Sequence, residues 1–399
     1  MGPQYVSMHD VIVVGGGPVG LLSALGLAQA GVRVCVIDAE AQVIQSPRAA
    51  VYHWSVLDGL ARLGVLEEAL GAGVRKQDYT YRVAATGERI FFSMDVLKDH
   101  TAHPYNLHLG QHLLAEIALR RLEVMSNANI RFGTRVEELR QDADGVTLTV
   151  NAAGEIQEVR ARWVIGADGA GSTVRRLLGV SFDGMTWGER FIATNVRYDF
   201  ERHGYARATF VIDQRFGAVV VILTEEGLWR CTYMEDAALP EATFLERVPA
   251  AYASVLPGRG AYRLERASPY RMHQRSASRY RVGRVVLAGD AAHVTNPTGG
   301  LGLTSGLFDS YALYPALAAV AVGGAEDEVL DRYAAARRDV FLNRASPQAV
   351  ANKRLVFHAN DGGAALEEAL EALRRLPSDP DAVYRRLMFT KSLETPALL

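Results

Sequence analysis

Residues His9 to Glu40, HDVIVVGGGPVGLLSALGLAQAGVRVCVIDAE, restrict the fold more than any other part of this 399-residue chain. An apolar strand runs into a glycine turn, an amphipathic helix follows, and a second apolar strand ends in an acid. Gly15, Gly17 and Gly20 have the GxGxxG spacing. The first glycine makes the tight turn, the second admits a pyrophosphate to the backbone, and the third lets helix and strand pack. Asp38 closes the unit where a carboxylate can accept hydrogen bonds from ribose hydroxyls. A parallel α/β sheet is expected here, and the pattern by itself leaves NAD and FAD equally open.

Two later segments narrow that choice. RWVIGADGAGSTVRRLLGV (162–180) is another apolar strand, ending in Asp168-Gly169, with Ser172, Arg175 and Arg176 at the start of a helix. Read alone, it is an ordinary strand-to-helix turn. GDAAHVTNPTGGLGLTSGLFDS (289–310) follows the strand RVVLA and combines Gly289-Asp290, the rigid Pro297 and a glycine-rich helix start. A short acid at a strand end can hydrogen-bond a polyol such as the ribityl chain of FAD. Gly299, Gly300 and Gly302 let the backbone pass close to a flat ring. A helix beginning near Leu303 would aim its free N–H groups and positive dipole end at that ring, which favours a reduced, negatively charged flavin. Without the other segments, this one also reads as a strand–turn–helix with an Asp cap.

In this order, the GxGxxG unit, the DG segment and the GD segment resemble the class A flavoprotein aromatic hydroxylases, the family of para-hydroxybenzoate hydroxylase and the phenol hydroxylases. The resemblance runs over roughly residues 10–345. It implies an α/β fold: a discontinuous Rossmann-like FAD-binding domain, an inserted β-sheet substrate domain and C-terminal helices. It also implies that Gly15, Gly17, Gly20 and Asp38 hold the ADP half of FAD, although the family more often has Glu at the last position. Asp168 would organise the region shared by FAD and the reduced nicotinamide cofactor, with Arg175 structural. Gly289 and Asp290 would meet the ribityl chain, and Pro297 would lie beside the flavin where oxygen is transferred. Gly302 and the amides of Leu303 and Thr304 would face the pyrimidine edge; many relatives have Asn in place of Thr304. Arg48, in SPRAAVYHWSVLDGLARLGVL (46–66), would reach the FAD phosphates or the flavin, whereas Ser55 stands where many relatives carry a second Arg. Gln111, in HLGQHLLAEIALRRL, reads equally as a cofactor contact and as a solvated helix residue.

Composition fits a soluble enzyme with a large core: 49% of residues are hydrophobic and the formal net charge is −2. Such a charge gives no basic field for nucleic acid or an anionic membrane. The apolar run from Tyr311 to Ala325 is broken by Pro315 and is too short to span a bilayer. Residues 1–9 are polar, so no signal peptide is expected. Cys35 and Cys231 lie in apolar strands, which predicts no disulfide, no metal site and a cytoplasmic setting.

The three nucleotide segments must meet at one cofactor, so the FAD-binding domain is predicted from residues 8–75, 106–181 and 270–345. The substrate domain is predicted from 76–105 and 182–269, the second piece reading as strands RFIATNVRYDF, RATFVIDQ, GAVVVILTE and LWRCTYME. Residues 346–399 form a C-terminal helical region, with the tail after Ser378 loose or an interface arm. No second GxGxxG unit with a following acid is present, so NADH or NADPH would dock transiently. A homodimer is compatible with the sequence.

The implied reaction is hydroxylation of a small phenolic or related aromatic compound with NAD(P)H and O2, through a flavin C4a-hydroperoxide. The flavin carries that chemistry, and the protein excludes water and helps deprotonate the phenol. Candidates to face the flavin from the sheet are Tyr105, Phe216, Arg230 and Tyr233, with His108 if it lies near the ring, while plain core packing is the stronger reading of the tyrosines and Phe216. Arg230 is a charge inside an apolar strand, suited to a phenolate or carboxylate, or else to the solvent side of a two-faced sheet. His293 reads as a packing or capping residue. A flavoprotein reductase of the same fold, or a FAD-binding protein without turnover, are the rival readings. The WxWxIP motif of the flavin halogenases is absent.

Overall fold

The computed structural model describes residues 8–45, 50–213, 216–256, 258, 260–357 and 363–399. The chain is of the α/β class, and its first sheet is built around the strand His9–Val14. Strands Val285–Leu287, Glu155–Gly166, His9–Val14, Val34–Ile37 and Ala128–Arg131 lie side by side and parallel in that order. The Val and Ile runs of His9–Val14, Val34–Ile37 and Val285–Leu287 suit strands covered on both faces, whereas Ala128–Arg131 lies at the sheet's edge and is only partly buried. An antiparallel pair, Thr134–Gln141 and Val146–Ala152, extends the sheet from Glu155–Gly166.

The glycine-turn helix, Pro18–Gln29, reads as amphipathic but is buried on nearly all sides. The long helix Leu301–Ala321 covers it. Contact is close because Gly26 has no side chain: a Cβ there would lie 2.5 Å from the Tyr314 ring. Ser23 and Ser310 bridge the same two helices by a 2.9 Å hydrogen bond. The apolar run after Tyr311 is therefore core, continuing as helix through Pro315. Among the described residues, no helix is long and apolar enough to cross a membrane.

The second sheet has the order His293–Val294, Arg263–Ala277, Phe182–Arg197, Leu228–Asp236, Ala218–Thr224, Ala208–Ile212, Asp78–Val83 and Glu88–Ser93. All neighbours are antiparallel except Ala208–Ile212 and Asp78–Val83. The strand Arg263–Ala277 crosses the expected boundary at 269/270, and its Ser276 pairs with His293, so this sheet is hydrogen-bonded directly to the GD segment. Helix Phe244–Val255 covers one of its faces. The other face meets the C-terminal helices, among them Ser346–Phe357 and Pro380–Lys391. A small third sheet, Val51–Tyr52, Asn106–His108 and Val74–Lys76, stands between the two large ones.

The tail differs from expectation. Instead of a loose arm, residues Pro380–Lys391 form a helix whose Asp379 side chain caps the Ala382 amide at 2.8 Å, and Leu393 is fully buried. Leu387 and Val383 bury its apolar side, which offsets the entropy cost of ordering the segment.

Candidate active site

The parallel register brings the three motif turns to one edge. Val14 pairs with Gly166 and Ile37, and Gly166 pairs with Leu287. Each strand thus ends level with its neighbour, and ligands of such sheets bind beyond the carboxyl ends. Gly15 sits at φ +122, and a Cβ on it would lie 2.3 Å from the Ala167 carbonyl oxygen. A Cβ on Gly20 would lie 2.0 Å from the Gly15 oxygen, and one on Gly289 would lie 3.0 Å from the Val19 side chain. The GxGxxG, DG and GD turns are therefore in van der Waals contact with one another.

Beside these crowded glycines are open ones. A Cβ built on Gly17 meets nothing within 4 Å, although the backbone there, φ −82, would accept any residue. The helix that begins at Gly17 has no side-chain cap, which leaves its start suited to an anion. A Cβ on Gly302 would touch only the Thr295 methyl, at 3.5 Å. Asp290 and Pro297 are exposed along the same edge. Two uncapped helix starts, with open space over Gly17 and Gly302, fit a long ligand that is anionic at one end and flat at the other. The residues present therefore fit FAD.

The remaining expected cofactor residues divide. Asp38 accepts from the Gly16 amide and, at 2.7 Å, from the Glu40 amide, so it shapes the turn it closes. Gln111 is half-buried at the start of helix Gln111–Glu123. Thr304 is buried: its hydroxyl donates to the Gly300 carbonyl at 2.9 Å, and its amide reaches the same oxygen at 3.4 Å. Leu303 is half-buried in the same turn. Asp168 turns its carboxylate onto its own helix start, accepting from the Ser172 hydroxyl at 2.5 Å and the Thr173 and Val174 amides at 2.6 and 3.1 Å. Burial raises its pKa against the lowering by these hydrogen bonds. Arg175 donates to the Ala291 and Ala170 carbonyls, both at 2.8 Å, and so ties the DG turn to the GD turn. Arg48 lies outside the described residues.

The sheet above this edge has two different faces. Trp229, Cys231 and Tyr233 pack beneath helix Phe244–Val255, with the Tyr233 ring 6.3 Å from that of Tyr252. Tyr233 and Phe216 thus belong to the core on the far side, which is the packing reading of these two residues and not the flavin-facing one. Tyr105 packs into the core of the first sheet, with its hydroxyl 3.2 Å from the His103 ring. Arg230 alternates to the opposite face from Tyr233. It is 8% exposed and donates through Nε and a terminal nitrogen to the side-chain Oδ1 of Asn195, each at 3.2 Å. Burial lowers its pKa to about 10, and it stays a cation at neutral pH. Its positive field reaches His112, next to Gln111, so this face looks toward the FAD-binding unit.

His108 connects the two. Its Nδ1 lies 3.0 Å from the Ile222 carbonyl of the roof sheet, and its Nε2 is buried with no hydrogen-bond partner. Its strand neighbour Val51 lies against the Gly300 turn, 3.7 Å from a Cβ built there. Burial, helped by the charge of Lys76, depresses the His108 pKa to about 3.

Sequence reasoning missed several residues here. His53 bonds the Gly299 carbonyl through Nε2 at 2.8 Å, with its pKa lowered by burial to about 4. Lys76 is buried with Nζ 3.0 Å from the centre of the Tyr79 ring and no hydrogen-bond partner. Gln274 accepts through Oε1 from the Thr295 hydroxyl at 2.9 Å and the Asn296 amide at 3.2 Å, and donates to the Ser346 hydroxyl at 2.7 Å. It holds the segment that carries Pro297. Nothing in the sequence marks Gln274; the alternation of GVRK would have placed Val74 and Lys76 on one face, away from Arg75.

Comparison with known proteins gives one answer. The profile of a family described as "FAD binding domain" matches residues 8–345. The 6-hydroxy-3-succinoylpyridine 3-monooxygenase HspB of Pseudomonas putida (strain DSM 28022 / S16) is 42% identical over 386 residues, covering 96% of this chain and 98% of that protein. The para-nitrophenol 4-monooxygenase of Pseudomonas sp. (strain WBC-3) is 47% identical over 350 residues, 87% of each chain. The crystal structure of p-nitrophenol 4-monooxygenase PnpA from Pseudomonas putida DLL-E4 superposes with a TM-score of 0.92 at 42% identity, covering 97% of this chain and 98% of that one.

Proposed function

The chain belongs to the FAD-binding family of class A flavoprotein aromatic hydroxylases, and from this premise we propose that its substrate is a phenol or hydroxypyridine substituted para to the hydroxyl, oxygenated at that para carbon. It is a FAD-dependent monooxygenase. The two relatives' names support the finer reading: each sets the oxygen on a ring carbon that bears a substituent and lies para to a hydroxyl. That carbon is the electron-rich position of a phenolate.

The contact of the three motif turns, read from the built Cβ positions at Gly15, Gly20 and Gly289, is the observation that carries the cofactor assignment. Bound FAD supplies hydride acceptance from NADH or NADPH and the activation of O2. Gly17 and the uncapped helix start behind it would take the pyrophosphate, Asp38 the ribose, and Asp290 the ribityl chain. Leu303 would face the pyrimidine edge, beside Gly302 and Pro297, while Thr304, whose amide and hydroxyl are both taken by the Gly300 carbonyl, would hold that turn in shape and Gln111 lies at the near helix start. Arg48 and Asp168 remain proposals of the family resemblance, with Asp168 acting through the helix that it caps.

Arg230 would bind the substrate oxyanion from the roof, lowering the cost of the phenolate. His108, neutral at physiological pH, would line the wall between roof and Gly300 turn. The roof sheet and C-terminal helices keep water from the ring. Cys35 and Cys231 are buried free thiols, in keeping with a reducing, cytoplasmic setting.

Incubation of the FAD-loaded protein with 4-nitrophenol, NAD(P)H and O2 tests this. Oxygen delivered to the substituted carbon forms the C–O bond as the C–N bond breaks, its electron pair leaving with nitrite, and the hydroxyl proton is lost to give benzoquinone. Equal nitrite and quinone, with an 18O label from O2, is the expected result. A catechol that retains the nitro group would overturn the para assignment, and NAD(P)H oxidation without oxygen incorporation into any phenol would point to a reductase.

A further inference from the structure

Building on the FAD reading above, we propose that Asp309 and Arg337 are positioning residues for the flavin, and that the carboxy-terminal segment acts on the cofactor site through them. Neither side chain has any exposed surface, and neither reaches the cleft edge. A buried ion pair is a poor source of stability, because the desolvation of both charges offsets most of their attraction. What this pair provides is geometry. One carboxylate oxygen, Oδ2, accepts from the Gly289 amide at 2.9 Å and from His293 Nε2 at 2.7 Å. The other, Oδ1, accepts from Arg337 Nε at 2.7 Å. The guanidinium then donates to the Ser305 carbonyl at 3.1 Å and the Leu393 carbonyl at 2.6 Å.

The partners are the two ends of the flavin-side segment. Gly289, held at φ +59, begins the turn that presents Asp290. His293 opens the short strand that leads to Pro297, and its ring stacks on Phe341 with centroids 4.3 Å apart. Ser305 lies in the first turns of helix Leu301–Ala321, next to Leu303 and Thr304. One charge pair therefore fixes the ribityl-side turn relative to the pyrimidine-side helix start. Burial acts to raise the Asp309 pKa, yet His293 and Arg337 together hold it below the usual range, so the acceptor stays ionised. The fourth partner, Leu393, is a buried residue of the C-terminal segment, which Arg344 also holds through the Ser392 carbonyl at 2.8 Å.

Four changes made in the full holoenzyme test this: Asp309→Asn, Arg337→Lys, a chain ending at Leu393 and a chain ending at Ser392. Lysine keeps the charge beside Asp309 but cannot fork to Ser305 and Leu393. The chain ending at Leu393 keeps an acceptor for Arg337, and the chain ending at Ser392 does not. FAD dissociation constant, visible flavin band shape and flavin midpoint potential are read, with thermal unfolding of each apoprotein as the control for folding. We expect FAD affinity to fall about ten- to a hundred-fold in Asp309→Asn, Arg337→Lys and the Ser392 chain, the size of one lost charge-assisted hydrogen bond. Band shape and potential should move with it, while the Leu393 chain, whose new terminal carboxylate still accepts from Arg337, stays nearer the parent than the Ser392 chain. Affinity within two-fold, with an unmoved potential in Arg337→Lys, would overturn the positioning role, as would two truncated chains that behave alike. A parent protein that holds no FAD would instead refute the reading of the site itself.

Discussion

Arg230 illustrates how a single residue separates two readings that the sequence leaves balanced. Alternation in LWRCTYM admits both a solvent-facing and a cleft-facing guanidinium, and the packing of Trp229, Cys231 and Tyr233 under helix Phe244–Val255 puts Arg230 on the other face, where its burial removes the solvent-facing reading. Arg230→Gln is expected to weaken binding of 4-nitrophenolate about ten- to a hundred-fold, the cost of a lost hydrogen bond to a charged group, while FAD content stays at the parent level. Titration of the flavin spectrum with nitrophenolate measures the first, and the absorbance ratio of the purified protein the second. His53 and His108 carry a different prediction. Both are buried and neutral when folded, with pKa values near 4 and 3, whereas the unfolded chain binds protons near 6.5. The unfolded state therefore takes up protons first as pH falls. Stability is full above about 6.5 and is lost downward through the window to the folded values. Between pH 6.5 and 5.5 the two together should remove ~2 kcal/mol. Urea denaturation at both pH values measures it, and His108→Gln should halve the loss; an unchanged loss would mean that other groups dominate.

At the scale of elements, the strand–turn–helix units were the most legible part of the chain because spacing, apolar strand and closing acid lie in one short segment, although the glycines in them answer to different constraints. Gly15 and Gly17 make that testable, since they look alike in sequence and differ in space. Gly15→Ala puts a Cβ 2.3 Å from the Ala167 carbonyl at a positive φ, and should destabilise the apoprotein itself. Gly17→Ala places its methyl where nothing stands within 4 Å, at a φ of −82 that alanine adopts freely. The apoprotein should unfold within a few degrees of the parent, yet bind FAD at least about ten-fold more weakly because the methyl enters the pyrophosphate path. Apoprotein melting and FAD titration separate the two, and normal FAD affinity in Gly17→Ala would move the phosphate elsewhere. Four strands of the second sheet were also legible from their apolar or alternating runs, but not Arg263–Ala277, which has none, and not the faces. Tyr233 and Phe216 were candidates for the cleft with plain core packing as the other reading, and the covering helix Phe244–Val255 takes their face and makes them core. Which side of a sheet a helix covers is a long-range fact. The same holds for Lys76 and Gln274, whose roles arise from strands and turns far away in the chain.

For the whole molecule, the C-terminal helices matter more than a tail would. The family match ends at residue 345, but helix Ser346–Phe357 sets Val356 and Phe357 against Phe191 and Met272 of the roof. Helix Pro380–Lys391 then packs Val383 and Leu387 against a cluster with Trp54, Tyr81 and Phe92. Trp54 belongs to the segment after Arg48, and its indole N–H donates to the Leu387 carbonyl at 3.1 Å. The last helix thereby spans the FAD-binding unit and the roof. Its start was open to reading, although the tail after Ser378 was expected to be loose or an interface arm: Asp379 followed by Pro380 is a cap and first-turn pair, with apolar Val383 and Leu387 one turn apart. Its docking was not, because that depends on an apolar surface assembled from Tyr81, Ile90 and Phe92, far away in sequence. Leu387→Ala removes a side chain that is 5% exposed and should cost about 2–5 kcal/mol. Because the helix joins two units, that loss should also loosen the lid over the ring and let water in. The variant is therefore expected to divert more NAD(P)H oxidation into hydrogen peroxide while still binding FAD, measured as peroxide formed per NAD(P)H consumed with 4-nitrophenol present. A lowered unfolding midpoint with unchanged coupling would show that the helix stabilises the fold without sealing the site.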